Sequence, residues 1–413
     1  MRALWQAHGL RGLAAHARGA LARRVAPAQE WLPVGADDLL AADLSRPFDP
    51  PRRPWRPDEP LVIDWVCTPP GADFGFGGHA TLFRIVNFLG ERGHLNRLYL
   101  HDVYCGDLAH QTEIVRRQYG FWGPVARVQD GMEDAHAVVA TGWPTAYPVF
   151  NARCSGRRCY LVQDFEPDFH PMGSLAVLAE NTYRMGFHGI TAGPWLAERL
   201  RRDYGMAADA FDLGCDPERY RRTGDMPRRG IAFYARPRAA RRGFEVGMLA
   251  LELFARRRPD LEIHLFGAKV GTTRFRCIDH GPLSPAELNR LYNRCHAGLS
   301  LSLTNVSLVP LEMLAAGCIP VVNDAEHTRR VLDNAHVSYA DFTPHALAAR
   351  LEAIVGLGDF DAVSRAAAAS VRRVHWEQAG ATVEQSLRRV VSEEAPPRGT
   401  DRSARRSGEA ASA

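Results

Sequence analysis

The first half of the chain alternates short apolar runs with segments of helical periodicity. The apolar runs predict strands at residues 61–67, 95–100, 137–140, 159–162 and 189–191. Apolar residues at helical spacing predict helices at residues 78–92, 108–119, 174–185 and 194–203. Continuous apolar strands separated by helices are typical of a parallel sheet that is covered on both faces.

The same alternation begins again in the second half of the chain. Apolar runs predict strands at residues 231–235, 261–266, 297–301 and 319–323. Helical spacing predicts helices at residues 243–257, 284–294, 308–316, 344–356 and 364–390. Ser284 and Pro285 supply an N-cap and first-turn pair for one of these helices. The pattern therefore predicts an α/β protein with two Rossmann-like domains, joined near residue 225.

The composition of the chain indicates domain boundaries that agree with this pattern. We predict a first Rossmann-like domain over 58–225, a second over 226–372 and a C-terminal helix over 373–392. The segment before the first domain, 1–57, is predicted to be an arm and a linker, because its end is rich in Pro and Arg without periodicity. The last residues, 393–413, are rich in Ser, Ala, Arg and Pro and are predicted to be a disordered tail.

The N-terminal arm has two interpretations. Residues 3–25 place Leu and Ala between arginines at roughly helical spacing, which is typical of an amphipathic helix on an anionic membrane surface. An ordinary surface helix or a frayed arm fits the same pattern. The arginines interrupt any apolar signal core, and no apolar run approaches the ~18 residues of a membrane span. We expect a cytoplasmic protein, with peripheral contact at the inner face of the plasma membrane through residues 1–25 as one alternative.

Charge and cysteine content narrow the class of protein. The 413 residues carry 51 basic and 47 acidic side chains, and a net charge of +4 does not indicate a nucleic-acid partner. Eight cysteines are scattered without a C-x-x-C pair, which argues against a structural zinc site. Cys154 and Cys159 lie close enough in sequence to bridge a loop, or they are two free thiols.

A glycine-rich loop follows the first predicted strand. It runs from Gly71 to His79 and contains Gly77 and Gly78 just before a helix. Glycines there allow backbone N–H groups to approach a phosphate or a sugar, although a purely structural tight turn fits as well. The order of the glycines departs from G-x-G-x-x-G, so the loop is weak evidence for a dinucleotide.

Two further segments carry candidate ligand-binding groups. Arg236 and Arg242 lie on the loop after the first strand of the second domain, where α/β sheets bind ligands and a guanidinium can hold a diphosphate. Free N–H groups near 305–308, at the start of a short helix, form a predicted anion site. Glu312 lies one turn inside this apolar helix. Its carboxylate needs partners, which ribose hydroxyls, a neighbouring arginine or the backbone would supply.

At this point the chain resembles the GT-B glycosyltransferases, family 4 in particular. The resemblance covers residues 60–390. Its segments are Ile190–Leu200, Asp212–Tyr220, Phe233–Gly243, Leu265–Gly267, His280–Tyr292, Thr304–Glu312 and Ala315–Val322. It implies two Rossmann-like domains facing each other across a cleft, the first for the acceptor and the second for a nucleotide-sugar donor.

Within that family, the segment from Gln163 to Gly173 resembles rhamnosyltransferases of bacterial surface-polysaccharide assembly, of the rhamnan or S-layer glycan kind. This implies transfer of rhamnose from dTDP-rhamnose to a growing glycan or lipid-linked glycan. The expected catalytic residues are Asp164 and Glu166. The expected donor-binding residues are Gly77, Gly78, Arg236, Arg242, Leu283, Ser302, Thr304, Asn305, Ser307, Leu308 and Glu312.

The chain departs from the family pattern at several positions. Thr304 replaces the first Glu of the E-x7-E element, and Gln163 replaces the His of the first-domain His-Asp element. Glu166 and Asp168 resemble a metal-binding Asp-x-Asp, but GT-B enzymes normally need no metal, so we expect none. Two other functions stay open: a nucleotide-sugar epimerase-type enzyme on the same plan, and a non-catalytic glycan-binding or scaffold protein with a degenerate site.

Overall fold

The structure is a computed structural model. It describes residues 9, 10, 14, 17, 32–46, 48–71, 77–224 and 227–393. Most of the predicted arm helix at 3–25, the centre of the glycine-rich loop, the predicted domain boundary at 225 and most of the predicted tail lie outside these residues. The structure therefore neither supports nor contradicts those four predictions.

The first domain is built on a parallel sheet. Its strands are β1 Val62–Cys67, β2 Leu95–Leu100, β3 Val125–Arg127, β4 Ala137–Ala140, β5 Arg157–Val162, β6 His188–Ala192 and β7 Ala208–Phe211. They lie in the order β3-β2-β1-β4-β5-β6-β7, and every pair is parallel. The helices of this half are α1 Ala36–Ala41, α2 Gly78–Glu91, α3 Leu108–Tyr119, α4 Trp143–Asn151, α5 Ser174–Asn181 and α6 Pro194–Tyr204.

The second domain repeats the plan. Its strands are β8 Gly230–Tyr234, β9 Glu262–Phe266, β10 Ile278–Gly281, β11 Cys295–Leu299, β12 Ile319–Asn323 and β13 Ser338–Ala340. They lie in the order β10-β9-β8-β11-β12-β13, again all parallel. The helices are α7 Phe244–Arg257, α8 Pro285–Arg294, α9 Val309–Ala315, α10 Glu326–Leu332, α11 Pro344–Val355, α12 Phe360–Ser370 and α13 Trp376–Ser392. The predicted N-cap is confirmed, because the Ser284 hydroxyl accepts a hydrogen bond from the Glu287 N–H.

The single helix predicted over 364–390 is wrong. The structure has two helices, α12 and α13, with a break at 371–375 where His375 pairs with Cys215 as an isolated bridge. The break lets α13 cross back and pack on α2 and β7 of the first domain. The contact is close: a Cβ on Gly380 would lie 2.4 Å from the Phe88 ring. The C-terminal helix therefore ties the two halves together.

A buried ion pair lies inside the first sheet. Asp64 on β1 and Arg97 on β2 are direct neighbours in the parallel register, and Asp64 is 0% exposed. Arg97 donates from Nε and Nη2 to the two carboxylate oxygens of Asp64 at 2.7 and 3.1 Å. Burial raises the pKa of Asp64 to about 6, although the Arg97 charge lowers it. The stability of the first sheet thus depends on the pairing of this buried carboxylate with Arg97.

Two further observations concern the chain as a whole. Within the described residues, no helix is long and apolar enough to cross a membrane. All eight cysteines are free thiols, including Cys154 and Cys159. The Pro/Arg-rich segment after the arm, predicted to be a linker, contacts the first domain through Phe48, whose ring stacks on Phe150 at 4.5 Å.

Candidate active site

A cavity of about 570 Å³ lies between the two domains. Each sheet reverses its strand order beside its central strand, at β1/β4 in the first domain and at β8/β11 in the second. Open α/β sheets bind ligands beyond the carboxyl ends of the strands at such switch points. Residues one or two positions after β1, β4 and β8 line the cavity: Thr68, Thr141 and Arg236. The two switch points therefore face the same space.

Glu312 is the buried carboxylate of the second-domain wall. It lies on α9, whose other residues are apolar and buried, and its side chain lines the cavity. Burial raises the pKa of Glu312 to about 7, against the lowering effects of Arg84 and of hydrogen bonds from Tyr220 and Tyr292. The Tyr292 hydroxyl donates to Oε2 at 3.4 Å. A carboxylate held in this way can accept hydrogen bonds from a ligand.

Three arginines of the second domain line the cavity, and they differ in how they are held. Arg242 is the most deeply buried, and its Nη1 donates to the Ser302 hydroxyl at 2.8 Å and to the Asn305 carbonyl at 3.0 Å. Arg241 donates from Nε to Asp164 at 3.2 Å. Arg236 donates to the Tyr234 hydroxyl at 3.2 Å and forms no ion pair within the described part of the chain. Arg236 is therefore the cation most available to an anionic ligand.

The segment after β11 divides into two parts. Ser307 and Leu308 line the cavity, as predicted, and no hydrogen bond among the described residues uses their N–H groups. Ser302, Thr304 and Asn305, also predicted to bind the donor, lie behind the cavity wall. Their positions follow from internal bonding, because the Ser302 hydroxyl donates to the Asn305 carbonyl at 2.5 Å and the turn is buried. The Thr304 hydroxyl is buried without a partner among the described residues.

Asp164, predicted to be catalytic, lines the cavity on the first-domain side. Its carboxylate nevertheless contacts the second domain. Oδ1 accepts the Asn305 N–H at 2.8 Å, and Oδ2 accepts Arg241 Nε at 3.2 Å. Arg242 Nη2 lies 3.7 Å from Oδ2. Both oxygens are thus occupied by groups from the other side of the cleft.

Glu166, the other predicted catalytic residue, is buried at the edge of the cavity. Oε2 accepts the Trp143 N–H at 2.6 Å, and Oε1 accepts the Tyr160 hydroxyl at 3.0 Å. Burial raises the pKa of Glu166 to about 7. These contacts fix the start of α4 to the end of β5, which is a structural arrangement. The nearby Asp168 lies 3.9 Å from Arg199. Among the described residues, no group of three or more His, Cys, Asp or Glu is placed to hold a metal ion.

The remaining predicted positions lie on the cavity wall. Gly77 and Gly78 precede α2, and Gly77 has a φ of 80°, a left-handed conformation that favours glycine. The Gly78 carbonyl accepts a hydrogen bond from Gln163 Nε2 at 2.9 Å. Leu283 lines the opposite end of the cavity, in the turn that leads into α8. The cavity therefore extends from the glycine loop of one domain to the Leu283 turn of the other.

The sequence analysis missed residues that the first domain contributes. Arg84 lines the cavity, and its Nη1 is buried without a partner among the described residues. Its guanidinium lies 4.8 Å from the centre of the Trp376 ring. A signal was available, because Arg84 is the only charged residue between the two ends of α2, and apolar residues flank it on both sides. Trp143 and His170 also line the cavity, in edge-to-face contact at 5.7 Å.

Comparison with known proteins adds sequence relatives. Residues 229–352 match the family model described as WsaF, C-terminal domain. The O-antigen biosynthesis protein RfbC of Myxococcus xanthus is 35% identical to this chain over 345 residues, which are 79% of this chain and 27% of that protein. The chain thus spans about a quarter of the length of the curated relative that it matches.

Solved structures share the architecture. Sucrose-phosphate synthase from Thermosynechococcus elongatus superposes with a TM-score of 0.60 at 13% identity, over 80% of this chain and 99% of that chain. HepE of Anabaena, in complex with UDP and glucose, gives a TM-score of 0.59 at 15% identity, over 80% of this chain and 100% of that chain. At such identities the likeness concerns the fold alone. Two parallel-stranded Rossmann-like domains that face each other across a cleft are the GT-B fold, and this prediction is confirmed.

Proposed function

We propose that this protein is a glycosyltransferase that transfers rhamnose from dTDP-rhamnose to a growing bacterial surface glycan. The observation that carries the proposal is the cavity between the domains, where the buried Glu312 and Arg236, which forms no ion pair with any described residue, line the same wall. The match to the WsaF C-terminal domain, the O-antigen role in the name of RfbC and the UDP and glucose complex of HepE support it.

In this proposal the second domain holds the donor in three places. Glu312 accepts a hydrogen bond from the 3′-hydroxyl of the deoxyribose, and the turn at Leu283 receives the base. The diphosphate lies between the N–H groups of Ser307 and Leu308 and the Arg236 guanidinium. Guanidinium and N–H donors stabilise the negative charge that develops on a leaving diphosphate.

The choice of rhamnose rests on the sequence resemblance and on one feature of the cavity. Thr304 stands where the family has a glutamate, and its side chain lies behind the wall. The turn after β11 therefore does not offer the carboxylate acceptor that the family has there. A 6-deoxy sugar carries one hydroxyl donor fewer than a hexose, so it leaves fewer polar groups unpaired in such a site.

The first-domain wall receives the acceptor glycan. The bond between C1 of the sugar and the diphosphate breaks, a bond from C1 to the acceptor oxygen forms, and the acceptor proton leaves. Both oxygens of Asp164 accept hydrogen bonds from the second domain, so we place a neighbouring group against the acceptor hydroxyl. His170 is that group in our proposal, because its Nε2 has no partner among the described residues.

Incubation with dTDP-rhamnose separates this function from its two alternatives. A transferase releases dTDP at a rate that increases with a rhamnose-containing glycan acceptor, and a longer glycan is detected by mass spectrometry. An epimerase-type enzyme forms an isomeric nucleotide sugar without any acceptor. A glycan-binding protein consumes no donor, and the missing glutamate at Thr304 is the feature that favours this last outcome.

The two predicted donor arginines should respond differently to substitution. Arg236→Ala should lower the affinity for a nucleoside diphosphate about tenfold, because a hydrogen bond to a charged group contributes about 1.5–3 kcal/mol. Its melting temperature should stay unchanged. Arg242→Ala should lose both affinity and melting temperature, because Arg242 braces Ser302 and Asn305. Calorimetric titration that shows wild-type affinity in Arg236→Ala would remove this residue from the donor site.

Transfer should also persist in excess chelator. In the proposed site, cationic side chains and N–H groups neutralise the leaving diphosphate, which is the task of a Mg²⁺ ion in other enzymes. The measurement compares initial rates with and without EDTA on protein dialysed against chelator. Activity that is lost in chelator and restored by Mn²⁺ would contradict this prediction and would make Glu166 and Asp168 candidate ligands.

A further inference from the structure

The two domains are joined across the cleft by a buried polar cluster. We call it the Asp164 cluster, and it consists of Asp164, Arg241, Arg242 and Asn305. Asp164 is 7% exposed and Asn305 is 1% exposed, so the carboxylate and the turn that it contacts are shielded from water. A buried carboxylate is costly unless it is paired and hydrogen-bonded. Here every charged partner of Asp164 comes from the opposite domain.

The Asn305 turn is held from the first domain at a second point. Its side-chain Nδ2 donates to the carbonyl oxygens of Gln163 and Ala192 at 2.9 and 2.8 Å. Its backbone N–H donates to Asp164. Three hydrogen bonds from one residue thus fix the turn directly before Ser307 and Leu308, which line the cavity and whose N–H groups have no partner among the described residues.

Arg241 is held at one edge only. Its Nε donates to Asp164, and its guanidinium lies 4.0 Å from the centre of the Phe169 ring. No hydrogen bond in the described part of the chain uses its two Nη groups. Arg241 lines the cavity, and its side chain is 27% exposed. A guanidinium fixed at Nε and against an aromatic face presents its other edge in a set orientation, which suits bidentate contact with a phosphate.

We propose that Asp164 is a positioning residue of the donor site: it orients Arg241 with one oxygen and the Asn305 turn with the other. The diphosphate site of the second domain is then complete only when the first domain is in contact with it. This inference rests on the proposed function, because it requires a nucleoside diphosphate as ligand. It assigns Asp164 to the donor rather than to the acceptor hydroxyl.

Asp164→Asn tests the inference in the full chain with dTDP as the probe. The amide oxygen still accepts the Asn305 N–H, but the amide N–H₂ cannot accept Arg241 Nε. We expect dTDP affinity to fall about fivefold to tenfold, and Asp164→Ala to lose more, because it also releases the turn. Amide hydrogen exchange of residues 303–308 without ligand should increase in Asp164→Ala more than in Asp164→Asn. In the transfer assay, KM for the donor should rise more than kcat falls.

A double-mutant cycle identifies the route of the effect. In an Arg241→Ala background, Asp164→Asn should change dTDP affinity less than twofold, because the group that it positions is gone. Asp168→Asn is the matched control. It removes a carboxylate from the same segment, and that carboxylate contacts Arg199 of the first domain rather than the second domain. Its affinity for dTDP should equal that of the wild type.

Several outcomes would overturn the inference. Unchanged dTDP affinity in Asp164→Asn with a large loss of kcat would make Asp164 a catalytic residue of the acceptor side. An equal loss of affinity in the wild-type and Arg241→Ala backgrounds would show that Asp164 acts on dTDP binding independently of Arg241. A lowered melting temperature of Asp164→Asn with normal affinity of its folded fraction would show a purely structural role. Failure of the wild type to bind dTDP, UDP or GDP would instead overturn the proposed function, and this inference with it.

Discussion

Glu312→Ala should lower the affinity for a nucleoside diphosphate by at least about tenfold. The substitution leaves the 3′-hydroxyl of the dTDP deoxyribose without its acceptor, and a hydrogen bond to a charged group contributes about 1.5–3 kcal/mol. Glu312→Gln keeps the shape and one acceptor oxygen, so the order of affinity should be wild type, then Gln, then Ala. Calorimetric titration of the three proteins with dTDP measures this order.

The melting temperature of the ligand-free proteins provides the control. Burial opposes the charged form of Glu312, so its removal should not destabilise the free protein greatly. If Glu312 instead had only a structural role, held by Tyr220 and Tyr292, Glu312→Ala would melt at a lower temperature without ligand. Its folded fraction would then bind dTDP with normal affinity.

The pH dependence of binding adds a second test of Glu312. Its pKa is raised to about 7, and in our proposal the 3′-hydroxyl of dTDP donates to the ionised form. The affinity for dTDP should therefore fall as the pH is lowered from about 8 to about 6. The terminal phosphate of the nucleotide titrates in the same pH range, but its effect on affinity is the same for the wild type and for Glu312→Gln. The difference between the two proteins isolates the carboxylate, and equal pH profiles would contradict its role.

Arg97→Met should destabilise the first domain by about 3–5 kcal/mol, the cost of leaving a buried charge without its partner. Asp64 is 0% exposed, and Arg97 alone gives it two hydrogen bonds through side-chain nitrogens. Equilibrium unfolding in urea measures the loss. The double variant Asp64→Asn/Arg97→Met removes the charge as well and should recover part of the stability.

The sign of the pH effect follows from the pKa of Asp64. Its folded-state pKa is raised to about 6 from 3.8, so the folded state binds the proton more tightly than the unfolded state does. The contribution of this carboxyl to stability is therefore lost as the pH rises through 6. Without Arg97 the pKa rises further, so Arg97→Met should lose more stability at about pH 8 than at about pH 5.5. A loss independent of pH would show that packing, not charge, is what Arg97 supplies.

The periodicity of the sequence was enough to predict the two central sheets. Strands such as β2 and β12 are buried over all or nearly all of their length, and their predicted bounds are confirmed. The edge strands of both sheets are short and only partly buried, so they carry no continuous apolar run. The sequence analysis therefore missed all four of them: β3 and β7 in the first domain, β10 and β13 in the second. It also missed α4, which contains two prolines, at 144 and 148.

The site was predictable where local sequence positions the side chains. Glu312, Arg236, Ser307 and Leu308 lie on the cavity wall because each follows a strand or begins a helix of its own domain. The Asp164 cluster was not predictable. Its contacts join residues 77 and 141 positions apart, on domains whose relative placement leaves no trace in periodicity. For the same reason the sequence did not reveal that Thr304 and Asn305 lie behind the wall.

The proposed function requires that the cavity between the two domains bind a nucleotide sugar through its diphosphate and the 3′-hydroxyl of its nucleoside. Calorimetric titration of the purified chain with dTDP, with Glu312→Ala and Arg236→Ala titrated in parallel, tests this claim most directly. We expect one dTDP to bind per chain, and we expect both variants to bind it with lower affinity. A wild type that binds dTDP, UDP and GDP no better than the two variants do would contradict it.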